Sequence, residues 1–231
     1  SLTTYITKKM SETKKTGLTL YTRTTPNGTK ISCALEVLKL KYNVVELDFS
    51  KDEQHSDWYL KINKNGKIPT LVDHDNNNVT IAESGAILMY LADKTGKLQG
   101  SKDTDKWEVM QWILFQMAGI GPNFGNAHHF QVTKEPNQEY GKKRFTTEIK
   151  RLFSVMDQQL GEHEWLAADA FSMADICNFP WIIRHPGVGL NCKKDYKNVF
   201  AWLVRCSKVD GMLKGLEVPQ PFNHMFKKMN Q

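Results

Sequence analysis

Hydrophobic and polar positions in residues 18–98 follow patterns that change from strand-like to helix-like along the chain. Apolar, β-rich runs occupy residues 18–22, 42–48, 68–72 and 79–81. Between the first two runs, apolar residues recur at the spacing of one helix face. They are Ile31, Ala34, Leu35 and Leu38, in a helix predicted from Lys30. A second helix is predicted over residues 84–91, and the polar residues 74–78 indicate an antiparallel hairpin. This βαβ–ββα order predicts an α/β sandwich around one small mixed sheet.

After a polar linker at residues 99–103, the pattern becomes helical throughout. One amphipathic helix is predicted from apolar positions spaced three and four apart. They are Trp107, Met110, Ile113, Leu114 and Met117. Further helices are predicted over residues 145–160, 196–206 and 208–216. Because no strand pattern follows residue 100, we predict an all-helical domain over residues 104–231.

Another helix is predicted to begin at Ser172. Its hydroxyl can cap the first turn, and Asp175, three residues later, can reach back to the backbone amide of Ser172. We interpret this pair as a structural capping box that begins a buried helix and contacts no ligand.

The size and composition suit two small domains with hydrophobic cores, since 40% of the 231 residues are hydrophobic. We place the first domain at residues 18–98 and interpret the polar, lysine-containing residues 1–17 as a flexible basic arm. No stretch approaches the ~18 apolar residues of a membrane-spanning helix, so we predict no membrane partner.

The net charge of +6, from 31 basic and 25 acidic residues, is modest. Basic residues are scattered among acidic ones, apart from short clusters at residues 142–144 and 193–194. A nucleic-acid surface usually has a denser basic face or a recognisable module. We therefore predict no nucleic-acid partner.

The cysteines and histidines argue against disulfide and metal chemistry. None of the four cysteines belongs to a C-x-x-C pair, and four are too few for a disulfide framework. They are Cys33, Cys177, Cys192 and Cys206. We expect reduced, structural thiols and a cytoplasmic location. His128 and His129 are adjacent, with no third ligand at a metal-binding spacing, so we predict no metal.

Candidate chemistry begins in the turn between the first strand and the first helix, which has the sequence Thr24-Thr25-Pro26-Asn27-Gly28. Proline suits the first helical position, and Thr25 or Asn27 offers a capping oxygen. Any well-formed helix start needs these features. A helix N-terminus with hydroxyl and amide donors can also stabilise an anion such as a thiolate, so both interpretations stay open.

Two further motifs adjoin predicted strands. If the bond between Ile68 and Pro69 is cis, the backbone N–H and C=O of Ile68 can pair with a peptide-like ligand. After the fourth strand, Ser84 as a helix N-cap suits a carboxylate, and Glu83 beside it suits an ammonium group. Together they complement an α-amino acid head group, although plain capping explains the serine equally well.

The order of these motifs from residue 18 to about residue 216 resembles the glutathione transferase family. Several strings are similar to its nu class, and to the glutathione-binding domain of the fungal prion-forming nitrogen-catabolite regulator. They are Thr25-Pro26-Asn27-Gly28, residues 81–88, Gly119-Ile120-Gly121-Pro122 and His128-His129-Phe130. The resemblance implies a glutathione transferase fold, in which a thioredoxin-like domain precedes an all-helical one, and it implies a homodimer.

The resemblance also implies which residues bind glutathione. They are Gln54, Lys67, Ile68, Pro69, Glu83 and Ser84. The backbone of Ile68 would pair with the cysteinyl unit, and Glu83 and Ser84 would hold the γ-glutamyl head. Gln54 and Lys67 would lie near the glycyl carboxylate.

The same resemblance places the glutathione sulfur by Thr25 and Asn27, either of which could contact it. The turn has no tyrosine, serine or cysteine of the kind that activates the thiol in many family members. Tyr140 and Arg144 are implied contacts of a second glutathione or of the substrate.

These roles lead us to expect a glutathione-dependent transferase and disulfide-bond oxidoreductase that uses bound glutathione as its nucleophile on a small disulfide or electrophile. Conjugation of glutathione to electrophiles could instead be the main activity. A non-enzymatic glutathione-binding regulator of a transcription factor is another alternative. A scaffold domain of the kind fused to translation factors is disfavoured, because such domains often lose the Glu83–Ser84 pair.

Overall fold

The computed structural model describes residues 16–222 and 224–226. The arm predicted at residues 1–17 lies outside the described residues except for its last two. The chain divides into two compact units, the first containing residues 16–91 and 210–222 and the second containing residues 92–209 and 224–226. This division differs from the domain boundaries suggested by the sequence, because residues 210–222 belong to the first unit.

The first unit is built on a four-stranded sheet with the strand order β2-β1-β3-β4. Its strands are β1 (Leu18–Thr22), β2 (Tyr42–Glu46), β3 (Thr70–Asp73) and β4 (Val79–Ala82). Strands β1 and β2 are parallel, whereas β3 is antiparallel to both β1 and β4. The helices of this part of the chain are α1 (Pro26–Val37), α2 (Asp57–Leu60) and α3 (Ser84–Thr95). The predicted thioredoxin-like βαβ–ββα order and the antiparallel hairpin are therefore confirmed.

The register of β3 brings three chain segments to one end of the sheet. Thr70, the first residue of β3, lies opposite Tyr21 near the end of β1 and opposite Ala82 at the end of β4. The turn after β1, the segment before Thr70 and the residues after Ala82 consequently meet at this end.

Helix α1 begins at Pro26, four residues before the predicted start at Lys30. Thr25 is its N-cap, and the Thr25 Oγ1 atom accepts a hydrogen bond from the Gly28 backbone N–H at 3.1 Å. The segment predicted as a turn therefore forms the first helical turn, because proline at the first position leaves no unpaired N–H group there.

Another short helix, α10 (Met212–Gly215), packs against α1 within the first unit. A Cβ atom at Gly215 would lie 2.3 Å from the Cα atom of Cys33, so only glycine permits this approach. The Ser32 Oγ atom donates a hydrogen bond to the Gly215 carbonyl oxygen at 2.6 Å. The helix predicted over residues 208–216 is thus reduced to one turn, after Gly211 with its left-handed φ of 93°.

The described residues of the second unit contain helices and connecting loops but no strand, which confirms the predicted all-helical character. Its helices are α4 (Asp105–Leu114), α5 (Gly121–Val132), α6 (Glu139–Glu162), α7 (Met173–Ile182), α8 (Cys192–Asp195) and α9 (Lys197–Ser207). A π-helical turn at Phe115–Ile120 joins α4 to α5. Within residues 16–222 and 224–226, none of the helices combines the length and apolar character needed to traverse a membrane.

Helix α4 buries a face that only partly overlaps the predicted one, since Ile113 is buried as predicted. Trp107 and Leu114, which the sequence placed on the buried stripe, are 60% and 54% exposed. The buried apolar residues of α4 are Val109, Trp112 and Ile113, and the helix packs against α7. Both faces of α4 carry large apolar residues, so spacing alone did not distinguish them.

The predicted capping box at the start of α7 is confirmed. The Ser172 Oγ atom accepts a hydrogen bond from the Ala174 backbone N–H, and the Asp175 carboxylate accepts one from the Ser172 backbone N–H at 2.9 Å. The same carboxylate accepts hydrogen bonds from the Leu166 backbone N–H at 3.1 Å and from Trp202 Nε1 at 2.8 Å. Burial raises the pKa of Asp175 to about 6. Asp175 therefore ties the start of α7 to α9 and to the preceding loop.

We predict that Asp175→Ala lowers the free energy of unfolding by about 3–5 kcal/mol, because several buried donors lose their acceptor. Urea denaturation followed by circular dichroism at neutral pH would measure the loss. The exposed Asp103 provides a control, since Asp103→Ala should change stability by no more than about 0.5 kcal/mol. Equal losses in the two variants would contradict the prediction.

The Asp175 carboxyl group also predicts a pH dependence of stability. Its pKa is about 6 in the folded protein and near the ordinary value of 3.8 in the unfolded chain. The folded state therefore holds this proton more tightly, and the stabilisation is present below about pH 3.8 and is lost as the pH rises to about 6. Relative to Asp175→Asn, wild-type stability should fall by roughly 2 kcal/mol between about pH 4 and about pH 6.5. A constant difference in unfolding free energy across this range would refute the assignment.

Candidate functional site

The start of α1 forms the first part of the candidate site. A Cβ atom at Gly28 would lie 2.1 Å from the Arg23 carbonyl oxygen, so the chain turns too tightly there for any other residue. Thr25 and Asn27 are both partly buried in this turn. Because the Thr25 Oγ1 atom accepts the capping hydrogen bond, its own O–H group acts as a donor. The two predicted sulfur contacts thus lie together at the N-terminus of a 12-residue helix.

The segment that begins β3 forms the second part, and its Ile68–Pro69 peptide bond is cis. Tyr59 Oη and Asn63 Nδ2 donate hydrogen bonds to the Lys67 carbonyl oxygen at 2.7 and 2.8 Å. The same two side chains bond to the Thr70 hydroxyl at 2.9 and 3.2 Å. Burial raises the pKa of Tyr59, which keeps its hydroxyl protonated. The backbone of Ile68 is therefore fixed on both sides.

The residues after β4 form the third part. Glu83 is exposed and has a left-handed φ of 70°, and such backbone strain outside glycine is concentrated at functional sites. The Ile87 backbone N–H donates to the Glu83 carbonyl oxygen at 2.9 Å, so Glu83 occupies the cap position. Ser84 is the first residue of α3 and is not its N-cap, which corrects the prediction from sequence.

Lys30, which was not among the predicted site residues, contacts Ser84. It is fully buried, and its Nζ atom donates a hydrogen bond to the Ser84 Oγ atom at 3.1 Å. The structure therefore adds a buried lysine to the pair that the sequence assigned to an amino acid head group.

Gly66, which directly precedes Lys67, lets this part of the chain approach Gln54 closely. A Cβ atom at Gly66 would lie 3.1 Å from the Gln54 carbonyl oxygen. The Gln54 Nε2 atom donates to Asp52 Oδ1 at 2.6 Å, and its Oε1 atom is buried with no hydrogen-bond partner among the described residues. Of these two residues, the exposed Lys67 is the one that can form an ion pair with a carboxylate.

No cysteine is available at this end of the sheet in the described part of the chain. All four cysteines are buried and outside any disulfide bond, and Cys33 Sγ donates to the Met212 carbonyl oxygen at 3.3 Å. Burial raises the pKa of Cys192 to about 12, which keeps that thiol protonated. Among residues 16–222 and 224–226, no group of three His, Cys, Asp or Glu side chains is placed to hold a metal ion.

The second unit contains a groove of about 580 Å³. Its lining residues are Asn123, Tyr140, Lys143, Arg144, Thr147 and Glu148. Tyr140 and Arg144, the predicted contacts of a second ligand, lie four residues apart on α6 and share one face. The Glu148 carboxylate bonds to Arg151 at 2.7 Å, which together with Arg144 lowers its pKa. Because Glu148 is paired with Arg151, Lys143 and Arg144 can interact with an anion in the groove.

Comparison with known proteins identifies the family of this chain. Residues 16–93 match the glutathione S-transferase N-terminal domain, and residues 121–210 match the C-terminal domain of that family. The chain is 36% identical to the disulfide-bond oxidoreductase YfcG of Escherichia coli, over 71% of this chain and 78% of that protein. The chain belongs to the glutathione S-transferase family.

Two further relatives of this chain differ in their named roles. The transcriptional regulator URE2 of Saccharomyces cerevisiae is 28% identical, over 91% of this chain and 71% of that protein. A glutathione transferase from Burkholderia graminis, solved with two glutathione molecules bound per subunit, is 35% identical and aligns with a TM-score of 0.82 over 88% of each chain. The family and fold predicted from sequence are confirmed.

Lys30, Tyr59 and Asn63 are the residues of the candidate site that sequence reasoning missed. One of them had a signal, since Lys30 lies four residues before Ala34 and so falls on the apolar stripe of α1. A lysine on the buried face of a helix is unusual, so Lys30 could have been singled out from the sequence. Tyr59 and Asn63 had no such signal, because their partners are backbone and hydroxyl atoms in the segment before β3.

We predict that Tyr59→Phe raises the KM for glutathione about fivefold, because loss of about 1 kcal/mol of hydrogen bonding loosens the backbone around Ile68. Steady-state kinetics at varied glutathione concentration would measure the change. Tyr90→Phe is a matched control, since Tyr90 Oη donates to Asp73 Oδ2 at 2.6 Å at the other end of β3. The control should leave this KM unchanged. A similar rise in both variants would mean that the effect is general destabilisation.

Proposed function

We propose that this chain is a glutathione-dependent disulfide-bond oxidoreductase that uses bound glutathione, and no protein cysteine, as its nucleophile. The observation that carries the proposal is the start of α1, where Thr25 and Asn27 offer donors at a helix N-terminus while the nearby Cys33 is buried. A helix N-terminus and hydroxyl donors favour a thiolate over a thiol. The similarity to YfcG and family membership support this reading.

The binding roles follow from the three segments at the end of the sheet. The Ile68 backbone, next to cis-Pro69, would pair with the cysteinyl unit of glutathione. Glu83 would meet the γ-glutamyl ammonium group, and Ser84 would donate to its carboxylate. The glycyl carboxylate would lie near Lys67 with Gln54 beside it.

The proposed reaction is a two-step thiol–disulfide exchange. The glutathione thiolate, stabilised by Thr25 and Asn27, attacks one sulfur of a small disulfide, forming a mixed disulfide with glutathione and releasing the other half as a thiolate. A second glutathione thiolate then attacks the glutathione sulfur of that mixed disulfide. Glutathione disulfide forms, the second half leaves as a thiolate, and both released thiolates take up protons from solvent.

We propose that Tyr140 and Arg144 contact the second glutathione or the substrate. The groove that they line is large enough for a small ligand and presents Arg144 and Lys143 to a carboxylate. The structure solved from Burkholderia graminis holds two glutathione molecules per subunit, which supports a second binding position in this family.

A homodimer and a cytoplasmic location complete the proposal. Exposed Trp107 and Leu114, seven residues apart on α4, offer an apolar surface for a second copy. Four buried cysteines without a disulfide bond are typical of a reducing compartment. The resemblance to URE2 keeps one other candidate, a glutathione-binding regulator of a transcription factor without catalysis.

We predict that the purified protein reduces hydroxyethyl disulfide with glutathione faster than it conjugates glutathione to an aryl halide. Coupled glutathione reductase and NADPH consumption would report the first reaction, and absorbance of the conjugate the second. Asn27→Ala and Thr25→Ala should each lower the turnover of the disulfide about tenfold or more, because thiolate stabilisation is lost. Alkylation of the native protein with iodoacetamide, followed by its removal, should leave turnover intact.

The other possible results of these assays would each support a different function or mechanism. Faster conjugation that falls in the same variants would make conjugation to electrophiles the main activity. Glutathione binding without either reaction would favour the regulator, and a pull-down of a transcription factor would then test it. Loss of turnover on alkylation would show that a protein thiol takes part and would overturn the proposed mechanism.

A further inference from the structure

The last segment of the first unit, residues 210–222, runs along helix α1 from its end to its start. At the end of α1, the Asp210 carboxylate pairs with the Lys39 Nζ atom at 2.9 Å, two residues after the helix ends. At the start, Thr24, two residues before the helix begins, contacts Gln220. We call residues 210–222 the strap, because this segment is attached at both ends of α1.

The contact between Thr24 and Gln220 consists of two hydrogen bonds that share one hydroxyl group. The Thr24 Oγ1 atom donates to the Gln220 carbonyl oxygen at 2.7 Å and accepts from the Gln220 backbone N–H at 3.0 Å. The Gln220 side chain extends the connection to the last residue of β2, since its Nε2 atom donates to Glu46 Oε2 at 3.2 Å. A single hydroxyl group therefore joins the chain before α1 to the backbone of the strap.

The residue held in this way is the direct neighbour of Thr25, a proposed contact of the glutathione sulfur. The Thr25 backbone N–H donates to the Arg23 carbonyl oxygen at 2.7 Å, so the chain bends sharply at Thr24. The Thr25 hydroxyl bonds within α1, to the Gly28 N–H, whereas the Thr24 hydroxyl bonds to the strap. Movement of Thr24 would also move the Thr25 hydroxyl, and a hydrogen bond weakens steeply as its angle departs from linear.

We propose that Thr24 is a positioning residue, whose two hydrogen bonds to Gln220 keep the Thr25 hydroxyl directed at the sulfur of bound glutathione. This inference rests on the proposed function, since the sulfur belongs to glutathione. It deepens that function by extending the support of the reactive thiolate to a strap residue 196 positions later in the chain. A hydrogen bond donated to sulfur favours the thiolate, so breaking this connection should make the bound thiol less acidic.

Removal of the hydroxyl by Thr24→Val tests the role. The ultraviolet absorbance of the thiolate, followed against pH at saturating glutathione, should show that the pKa of the bound thiol rises by about 0.5–1. The acidic limb of the pH profile of kcat should move to higher pH by the same amount, and kcat well above that pKa should stay within about twofold. Calorimetry well below that pKa, where the thiol is protonated in both proteins, should show glutathione affinity within about twofold of wild type.

Two further threonine variants serve as controls. Thr24→Ser keeps the hydroxyl group and should restore the wild-type pKa of the bound thiol. Thr80→Val removes a hydroxyl that donates to the Asn78 carbonyl oxygen at 3.2 Å on β4, outside the strap and the start of α1. This variant should leave the same pKa unchanged.

Variants of Gln220 show whether Thr24 acts through the strap. Gln220→Pro removes the N–H group that donates to Thr24, and it should raise the same pKa. Gln220 stands between Pro219 and Pro221, so its backbone is already restricted towards the extended conformation that proline accepts. Gln220→Ala keeps both backbone hydrogen bonds and should have a smaller effect. The rise in the double variant with Thr24→Val should not exceed the larger single rise, because both changes break one connection.

The outcomes separate this inference from the proposed function. An unchanged pKa in Thr24→Val, or an equal rise in Thr80→Val, would overturn the inference. A rise confined to Thr24→Val, or additive with that of Gln220→Pro, would show that Thr24 acts independently of the strap and would also overturn it. If Thr24→Val does not fold, the comparison of Gln220→Pro with Gln220→Ala decides.

The behaviour of wild-type protein separates the two further. If wild type binds glutathione as the thiolate without turnover, the enzymatic function fails, and the absorbance titration of the variants still decides the role of Thr24. A bound thiol no more acidic than that of free glutathione would overturn the inference. Failure of wild type to bind glutathione would remove both.

Discussion

The antiparallel pairing of β3 with both of its neighbours is the constraint on which the candidate site depends. Because Thr70 lies opposite Tyr21 and Ala82, the start of β3 meets the ends of β1 and β4. A shift of one residue would turn every side chain of β3 to the other face. Backbone hydrogen bonds in the sheet therefore place together the loops that carry the proposed ligand contacts. This placement does not depend on the side chains of those loops.

Buried polar groups hold the ends of these elements in place. Tyr59 and Asn63 fix the backbone before β3, and Lys30 links α1 to α3 through Ser84. In the second unit, the buried Asp175 carboxylate likewise accepts hydrogen bonds from the start of α7, from α9 and from a loop. A buried polar group that satisfies several elements at once makes their relative positions specific, because each lost partner leaves a costly unpaired group.

The arrangement suits a reaction in which the ligand itself provides the nucleophile. The described cysteines are buried, whereas the helix start at Thr25 offers donors to an incoming sulfur. Under this proposal the protein supplies position and charge stabilisation, and glutathione supplies the reactive atom. The relatives named as a disulfide-bond oxidoreductase and as a transcriptional regulator show that one fold hosts both kinds of role, so function must be argued from the site.

The sequence by itself determined the family, the βαβ–ββα order, the helical second unit and the capping box at Ser172, because these follow from local spacing, turn chemistry and ordered motifs. The turn chemistry also placed Thr25 at the start of α1. Tertiary structure alone decided which apolar face of α4 is buried, that residues 210–222 join the first unit, and that Lys30 meets Ser84. Those features depend on contacts between residues far apart in the chain, and local periodicity carries no information about such partners.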